Sequence, residues 1–237
     1  DALCTYLLFE KLSQIKANKK LKWVYDNILI PGTRFLVDAQ DNGVPFDKER
    51  LYLAQVSMQK NIDIAVDKLY KNPRIAEWRL WHGKDFNPAS TVQLRSLLFD
   101  TMGLKPTGKK TGTGAISTDA EVLGELSSQS EVPGLILDLR QRSKIKNTYL
   151  DKIIPQLDRD SRLRTNFNLH STTSGRLSSS GKLNMQQLPR DNPSVKGCIR
   201  AGWGKRIVAM DLTTAEVYVA AVLAEDKALM DVFRSHG

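Results

Sequence analysis

Long apolar runs are missing from this chain, and their absence excludes a membrane-spanning helix, which needs roughly 20 consecutive apolar residues. Cysteine is almost missing as well. Cys4 and Cys198 stand far apart in 237 residues, in no paired spacing, so neither a disulfide framework nor a cysteine zinc site is indicated and a reducing compartment fits. The three histidines, His82, His170 and His236, are scattered. No nucleophile-and-base set is recognisable, and aromatic residues are only 7%. What the chain does have is positive charge. Lys plus Arg number 35 against 26 Asp plus Glu, a net charge of +9, which favours a polyanionic partner through phosphate contacts and counterion release. Charge alone leaves a merely solvated basic surface equally open.

The pattern along the chain is mostly helical. Residues 1 to about 17 read as a helix with Leu3, Leu7, Leu8 and Leu12 on one stripe, and the basic run Lys16 to Lys22 reads as a boundary. A second helix is expected from Trp23 to Asp41, stopping at Asn42-Gly43. Asp47 then caps a long helix whose stripe is Leu51, Met58, Ile62, Ala65 and Leu69, with its other faces polar. Ser90 opens a shorter helix through Leu97 and Leu98. Beyond the loop Gly103 to Gly114, Thr118 with Glu121 has the form of a capping box. Pro133 starts a further long helix through Leu139 to Tyr149. Two long helices bracketing small ones and a basic tip make an extended helical hairpin. After Pro155 the texture changes: residues 163 to 170 look strand-like, 171 to 204 are rich in Ser, Gly, Asn and Pro, Ile207 to Met210 reads as a buried strand, and a helix runs from Thr214 to Phe233. The chain begins at Asp1 without methionine and runs straight into an amphipathic pattern, so it reads as a segment of something larger.

Three constellations could carry chemistry. An apolar strand that delivers Asp211 at a strand-to-helix turn is a common way to place a metal ligand at the edge of a cleft; the competing reading is that Asp211 merely caps the helix, with Thr213 and Glu216 forming a capping box. One carboxylate is too few for a two-metal site, so partners must come from elsewhere. The donors and amides of Thr172 to Gly181 and Asn184 to Pro189, around Arg176, could line a nucleic-acid groove or form an ordinary polar loop. Arg140, Arg142, Lys144, Lys146 and Lys152, with Asn147, Thr148 and Tyr149 among them, make either a backbone-tracking face or a solvated one. Gly103 to Lys109 only imitates a phosphate-binding loop, because Lys110 stands where Ser or Thr must hold magnesium.

In collinear order these segments resemble family A DNA polymerases, the class of bacterial DNA polymerase I and its phage and organelle relatives. Phe86 to Leu94 and Ser143 to Lys152 are similar to the thumb, Thr172 to Ser179 and Asn184 to Pro189 to the primer-template contact segments, and Asp211 to Leu223 to motif A. The resemblance implies an α+β, mostly helical fold: a long helical-hairpin thumb plus the N-terminal half of a palm with a small antiparallel sheet. Residues 1–22 would end a 3'-5' exonuclease-like domain, 23–46 begin the palm, 47–160 form the thumb and 161–237 the palm with motif A. It further implies that Asp211 and the carbonyl of Leu212 bind magnesium, two ions being shared with a carboxylate not in this chain, and that Glu216 crowds a ribose 2'-OH. Arg176, Asn184, Gln186, Gln187 and Thr172 would touch the duplex near the primer end, and Lys144, Lys146, Asn147, Thr148 and Tyr149 would grip its backbone. Asp1 would be the last carboxylate of the exonuclease metal site. Implied partners are primer-template DNA, dNTP and a C-terminal polymerase segment carrying the fingers, on the same parent chain or a second polypeptide, with no membrane. The expected setting is the cytoplasm of a bacterial or phage-infected cell, or an organelle. Leu212 and Tyr218 depart from the motif, which usually has Tyr and Arg there. The rivals are a non-catalytic nucleic-acid-binding module and a single-subunit RNA polymerase, against which Glu216 argues.

Overall fold

The computed structural model describes residues 1–13, 18–181, 183–189, 192–212 and 214–235. The chain divides into two compact units, 1–200 and 201–237.

The first unit opens with helix α1 (Ala2–Ser13) and helix α2 (Lys19–Val24), which passes through a π-helical turn, Tyr25–Leu29, into α3 (Ile30–Asn42). Asn18 starts α2 four residues before the expected Trp23, because its side chain accepts from the backbone N–H of Lys20 and Leu21. Residues 14–17, where the first helix was expected to end and the basic run to begin, lie outside the described residues. Gly43 stops α3 as expected, with φ 61, a left-handed conformation that glycine adopts without strain. The short strand β1 (Val44–Pro45) follows.

Asp47 accepts from the N–H of Arg50 and so opens α4 (Lys48–Tyr70), a rod of roughly 34 Å at 1.5 Å per residue. Leu51, Met58, Ala65 and Leu69 of its stripe are buried, Leu51 and Leu69 completely, and Ile62 is partly buried. The opposite face is less polar than the sequence pattern suggests, since Tyr52, Leu53, Val56 and Ile64 are exposed. Asn72 caps α5 (Pro73–His82) and Ser90 caps α6 (Thr91–Arg95), which runs on as a π-helical turn to Thr101. The expected capping box at Thr118 is not formed. Asp119 is the cap of α7 (Ala120–Leu126), accepting from Val122 N–H, while Thr118 is buried. An ionised carboxylate is the stronger acceptor for orphan helix N–H groups. Ser130 likewise starts α8 (Glu131–Lys144) before Pro133, which sits in the first turn where its missing N–H costs nothing. A π-helical turn, Ile145–Leu150, leads to α9 (Asp151–Ile153) and a short 3₁₀ turn.

Helices α4 and α8 lie side by side as the hairpin. Two apolar clusters hold it. At one end Ala65 and Leu69 pack with Trp78, Phe86, Leu97, Leu123, Ile136 and Leu139. At the other, Leu51 and Met58 pack with Phe46, Tyr149, Leu150, Ile153 and Leu163. Ile62 touches both.

Strand β2 (Arg162–Leu163) pairs antiparallel with β1, Val44 opposite Leu163, and β3 (Asn166–Asn168) pairs with β4 (Ser178–Ser180), Phe167 opposite Ser179. Arg162 and Arg164 donate to main-chain oxygens of Asn42, Gly43 and Asp41, tying this sheet to the end of α3. A 3₁₀ turn, Met185–Gln187, and α10 (Pro193–Lys196) complete the unit.

In the second unit the apolar run is a correction. Residues 205–212 form no strand, and Val208 and Met210 are 77% and 91% exposed. An apolar run becomes a strand only when another strand takes its N–H and C=O groups, and no described residue does so. The single helix expected from Thr214 is two, α11 (Ala215–Leu223) and α12 (Lys227–Ser235). The break is made by Glu225 at φ 53 and by Asp226, whose carboxylate accepts from Leu229 N–H. Tyr218 and Phe233 then meet edge to face across the two helices, with centroids 5.3 Å apart.

Candidate nucleic-acid interface

The loop after β3 turns on Gly175 (φ 73), where the Thr172 hydroxyl donates to the carbonyl of Arg176 at 2.6 Å. Asn184 caps the 3₁₀ turn by accepting from Gln186 N–H. Gln186 reaches back and donates its amide to the carbonyl of Leu177 at 3.0 Å, and Ser179 accepts from Met185 N–H. Thr172, Arg176, Asn184 and Gln186, far apart by simple reading, thus belong to one cross-braced polar structure. Arg176 and the side chains of Gln186 and Gln187 stay on its exposed surface.

The hairpin's basic end is more differentiated than its sequence. Lys144 and Asn147 are exposed and Thr148 is half-buried. Lys146 is only 18% exposed at its side chain and donates to Asp151 at 2.8 Å, while Gln55 of α4 donates to the other carboxylate oxygen at 2.6 Å. Burial works against the Asp151 carboxylate, but the bonds from Gln55 and Lys146 outweigh it and hold its pKa below the ordinary range. Tyr149 is buried at 6% exposure, and its hydroxyl donates to the carbonyl of Gln187 at 2.6 Å. Lys146, expected as a duplex contact, thus braces the turn after α8 to Asp151, which Gln55 in turn ties to α4, and Tyr149, expected likewise, joins the hairpin's base to the polar loop. Lys144 and Asn147 remain the outward groups.

The tip carries features that sequence reading missed. Lys109 bridges Asp119, at 2.8 Å, and Glu121. The hydrogen bond from Lys109, then that from Val122 N–H, lowers the Asp119 pKa to about 2, and the two carboxylates raise that of Lys109. Arg140 of α8 donates to the carbonyls of Thr118 (2.7 Å) and Pro88 (3.3 Å). It forms one wall of a cleft of about 830 Å³ between α4, α8 and the tip loop, with Arg95, Ser117, Ile62 and Val66 around it. The basic spacing around Lys109 could have flagged the first feature; nothing local announces the second.

In the second unit Asp211 and Leu212 are exposed, and Asp211 makes no hydrogen bond or ion pair with any described residue. It does not cap α11, whose N-cap is Thr214, at φ 51 and without a side-chain bond. Thr213, the other half of the expected capping box, lies outside the described residues. Glu216 is exposed in the first turn of α11. Asp1, in the first unit, is exposed, and its carbonyl accepts from Thr5. Among the described residues no three His, Cys, Asp or Glu side chains converge. Asp211 and the Leu212 carbonyl are hard oxygen donors of the kind magnesium takes, two of the several it needs.

The family model of DNA polymerase family A matches residues 57–237, a span that takes in the helical hairpin, the cross-braced Ser-Gly-Arg loop and Asp211. The chain belongs to that family. It is 49% identical over 222 residues to the DNA polymerase of Escherichia phage T5 and 34% identical over 242 residues to the thermostable DNA polymerase I of Thermus filiformis. It covers 94% and 99% of itself in these matches but only 26% and 28% of those relatives, so it spans about a quarter of their length. The polymerase domain of Pol1 from M. smegmatis, solved in complex with DNA primer-template and dNTP, superposes with a TM-score of 0.78 at 26% identity. That match covers 96% of this chain and 38% of that one.

Proposed function

We propose that this chain is the thumb and first palm portion of a template-directed DNA polymerase, joining a dNTP to a primer 3'-hydroxyl with release of pyrophosphate. The observation that carries this reading is Asp211, an exposed carboxylate with no partner among the described residues just before α11, in a chain whose family match extends through it.

Lys144 and Asn147 would hold backbone phosphates of the duplex. Arg176, Asn184, Gln186 and Gln187 would face the minor groove near the primer terminus, where acceptors recur at every base pair and hydrogen bonding is tolerant of sequence. The 2.6 Å bond from Tyr149 to Gln187 keeps the grip and the groove contacts in fixed register. Glu216 would stand where a ribose 2'-OH must go and so favour deoxynucleotides. Asp211 and the Leu212 carbonyl would hold magnesium, with further ligands, including a second carboxylate, supplied from outside this chain. A divalent cation bound there supplies Lewis acidity, easing deprotonation of the primer hydroxyl and neutralising charge on the departing pyrophosphate. Asp1 is proposed as a ligand of a separate exonuclease site.

Primer extension by the complete polymerase tests the reading. Asp211→Ala should lower the rate by at least about a thousandfold with duplex affinity unchanged; extension at the normal rate would reduce the chain to a DNA-binding module.

A further inference from the structure

Arg140 is a half-buried cation on the hairpin that pairs with no carboxylate among the described residues and instead bonds two main-chain carbonyls of other segments. Arg142 pairs with Asp138, Lys146 with Asp151 and Lys109 with Asp119 and Glu121, whereas Arg140 bonds only to the carbonyls of Thr118 and Pro88. Its guanidinium is partly buried, and that desolvation lowers its pKa. Half-burying a charge without a counter-charge is unfavourable unless hydrogen bonds offset the lost hydration, and here the two carbonyls supply them. The geometry here joins three segments. Pro88 lies two residues before Ser90, the cap of α6, and Thr118 immediately precedes Asp119, the cap of α7. From α8, one side chain thus sets the spacing between the two capping segments of the tip. Lys144 lies one turn further along α8, on the same face as Arg140.

We infer that Arg140 is a positioning residue for the thumb: it pins the Pro88 and Thr118 segments to α8 so that the tip beside Lys144 is preformed before DNA arrives, and it does not itself hold a phosphate. The inference rests on the duplex-grip reading above for its consequence, though not for the clasp. Arg140→Lys separates the possibilities. A compact ammonium keeps the charge but lacks the planar fork that reaches two carbonyls at once. In the complete polymerase, R140K should fold normally and speed amide exchange in residues 86–90 and 117–122 by about tenfold. Duplex affinity should fall roughly five- to tenfold with the slope of log affinity against log salt unchanged. Lys144→Ala, by contrast, should flatten that slope by about one.

Unchanged exchange in both segments overturns the clasp, whatever happens to DNA binding. Faster exchange with wild-type duplex affinity overturns the link to grip. A flattened slope in R140A, which removes the charge, would make Arg140 a phosphate contact and equally overturn it. A wild-type salt slope in Lys144→Ala, with R140K behaving as expected, would remove Lys144 from the grip and leave the clasp standing.

Discussion

Single side chains in this molecule divide into those spent on the protein and those left over. Tyr149 is spent: replacing it with Phe removes the bond to Gln187 and leaves that carbonyl seeking a partner, a loss of about 1 kcal/mol. Because the bond joins the hairpin base to the polar loop, Tyr149→Phe in the complete polymerase should also raise the duplex dissociation constant. Chemical denaturation and duplex titration check the two effects. Glu216 is exposed at the head of α11, and on the gate reading Glu216→Ala should narrow the preference for deoxynucleotides over ribonucleotides by at least about tenfold. Competitive incorporation measures this, and an unaltered preference would return Glu216 to an ordinary first-turn acid.

At the scale of elements, the tip is held by polar contacts as much as by its apolar cluster, and one of them titrates. Asp119 has a folded pKa of about 2 against an ordinary 3.8, so its carboxylate stabilises the fold above the ordinary value. That contribution begins to fade as pH falls below about 4 and is gone once pH passes below about 2. Asp119→Asn should therefore flatten the pH dependence of local stability between about 4 and 2, and leave it untouched near neutrality apart from a uniform offset. Amide exchange at Val122, whose N–H Asp119 accepts, provides the readout. The apolar cluster beneath is less forgiving. Leu69 is completely buried between α4 and its neighbours, and Leu69→Ala should cost roughly 2–5 kcal/mol in the unfolding free energy.

For the whole molecule, the two units have different standing. The first owns both apolar clusters, whereas the second exposes Ile207, Val208, Met210 and Leu212. On the proposed reading this chain by itself should bind primer-template DNA, with affinity falling steeply in salt, and extend no primer. Adding a polypeptide that carries the fingers and a second catalytic carboxylate should restore extension. Extension by the isolated chain would show that the site needs no carboxylate from outside it.

Much was determined by sequence alone. The α4 stripe from Leu51 to Leu69 and the Asp47, Ser90 and Gly43 boundaries depend on local propensity and periodicity, which act between near neighbours. The tertiary structure decided the rest, wherever competition between distant groups set the outcome. Asp119 rather than Thr118 caps α7, Lys146 answers Asp151 rather than solvent, and Tyr149 turns inward to Gln187. Ile207 to Met210 illustrates the limit from the other side: hydrophobic pattern can propose a strand, but only backbone groups from elsewhere can make one.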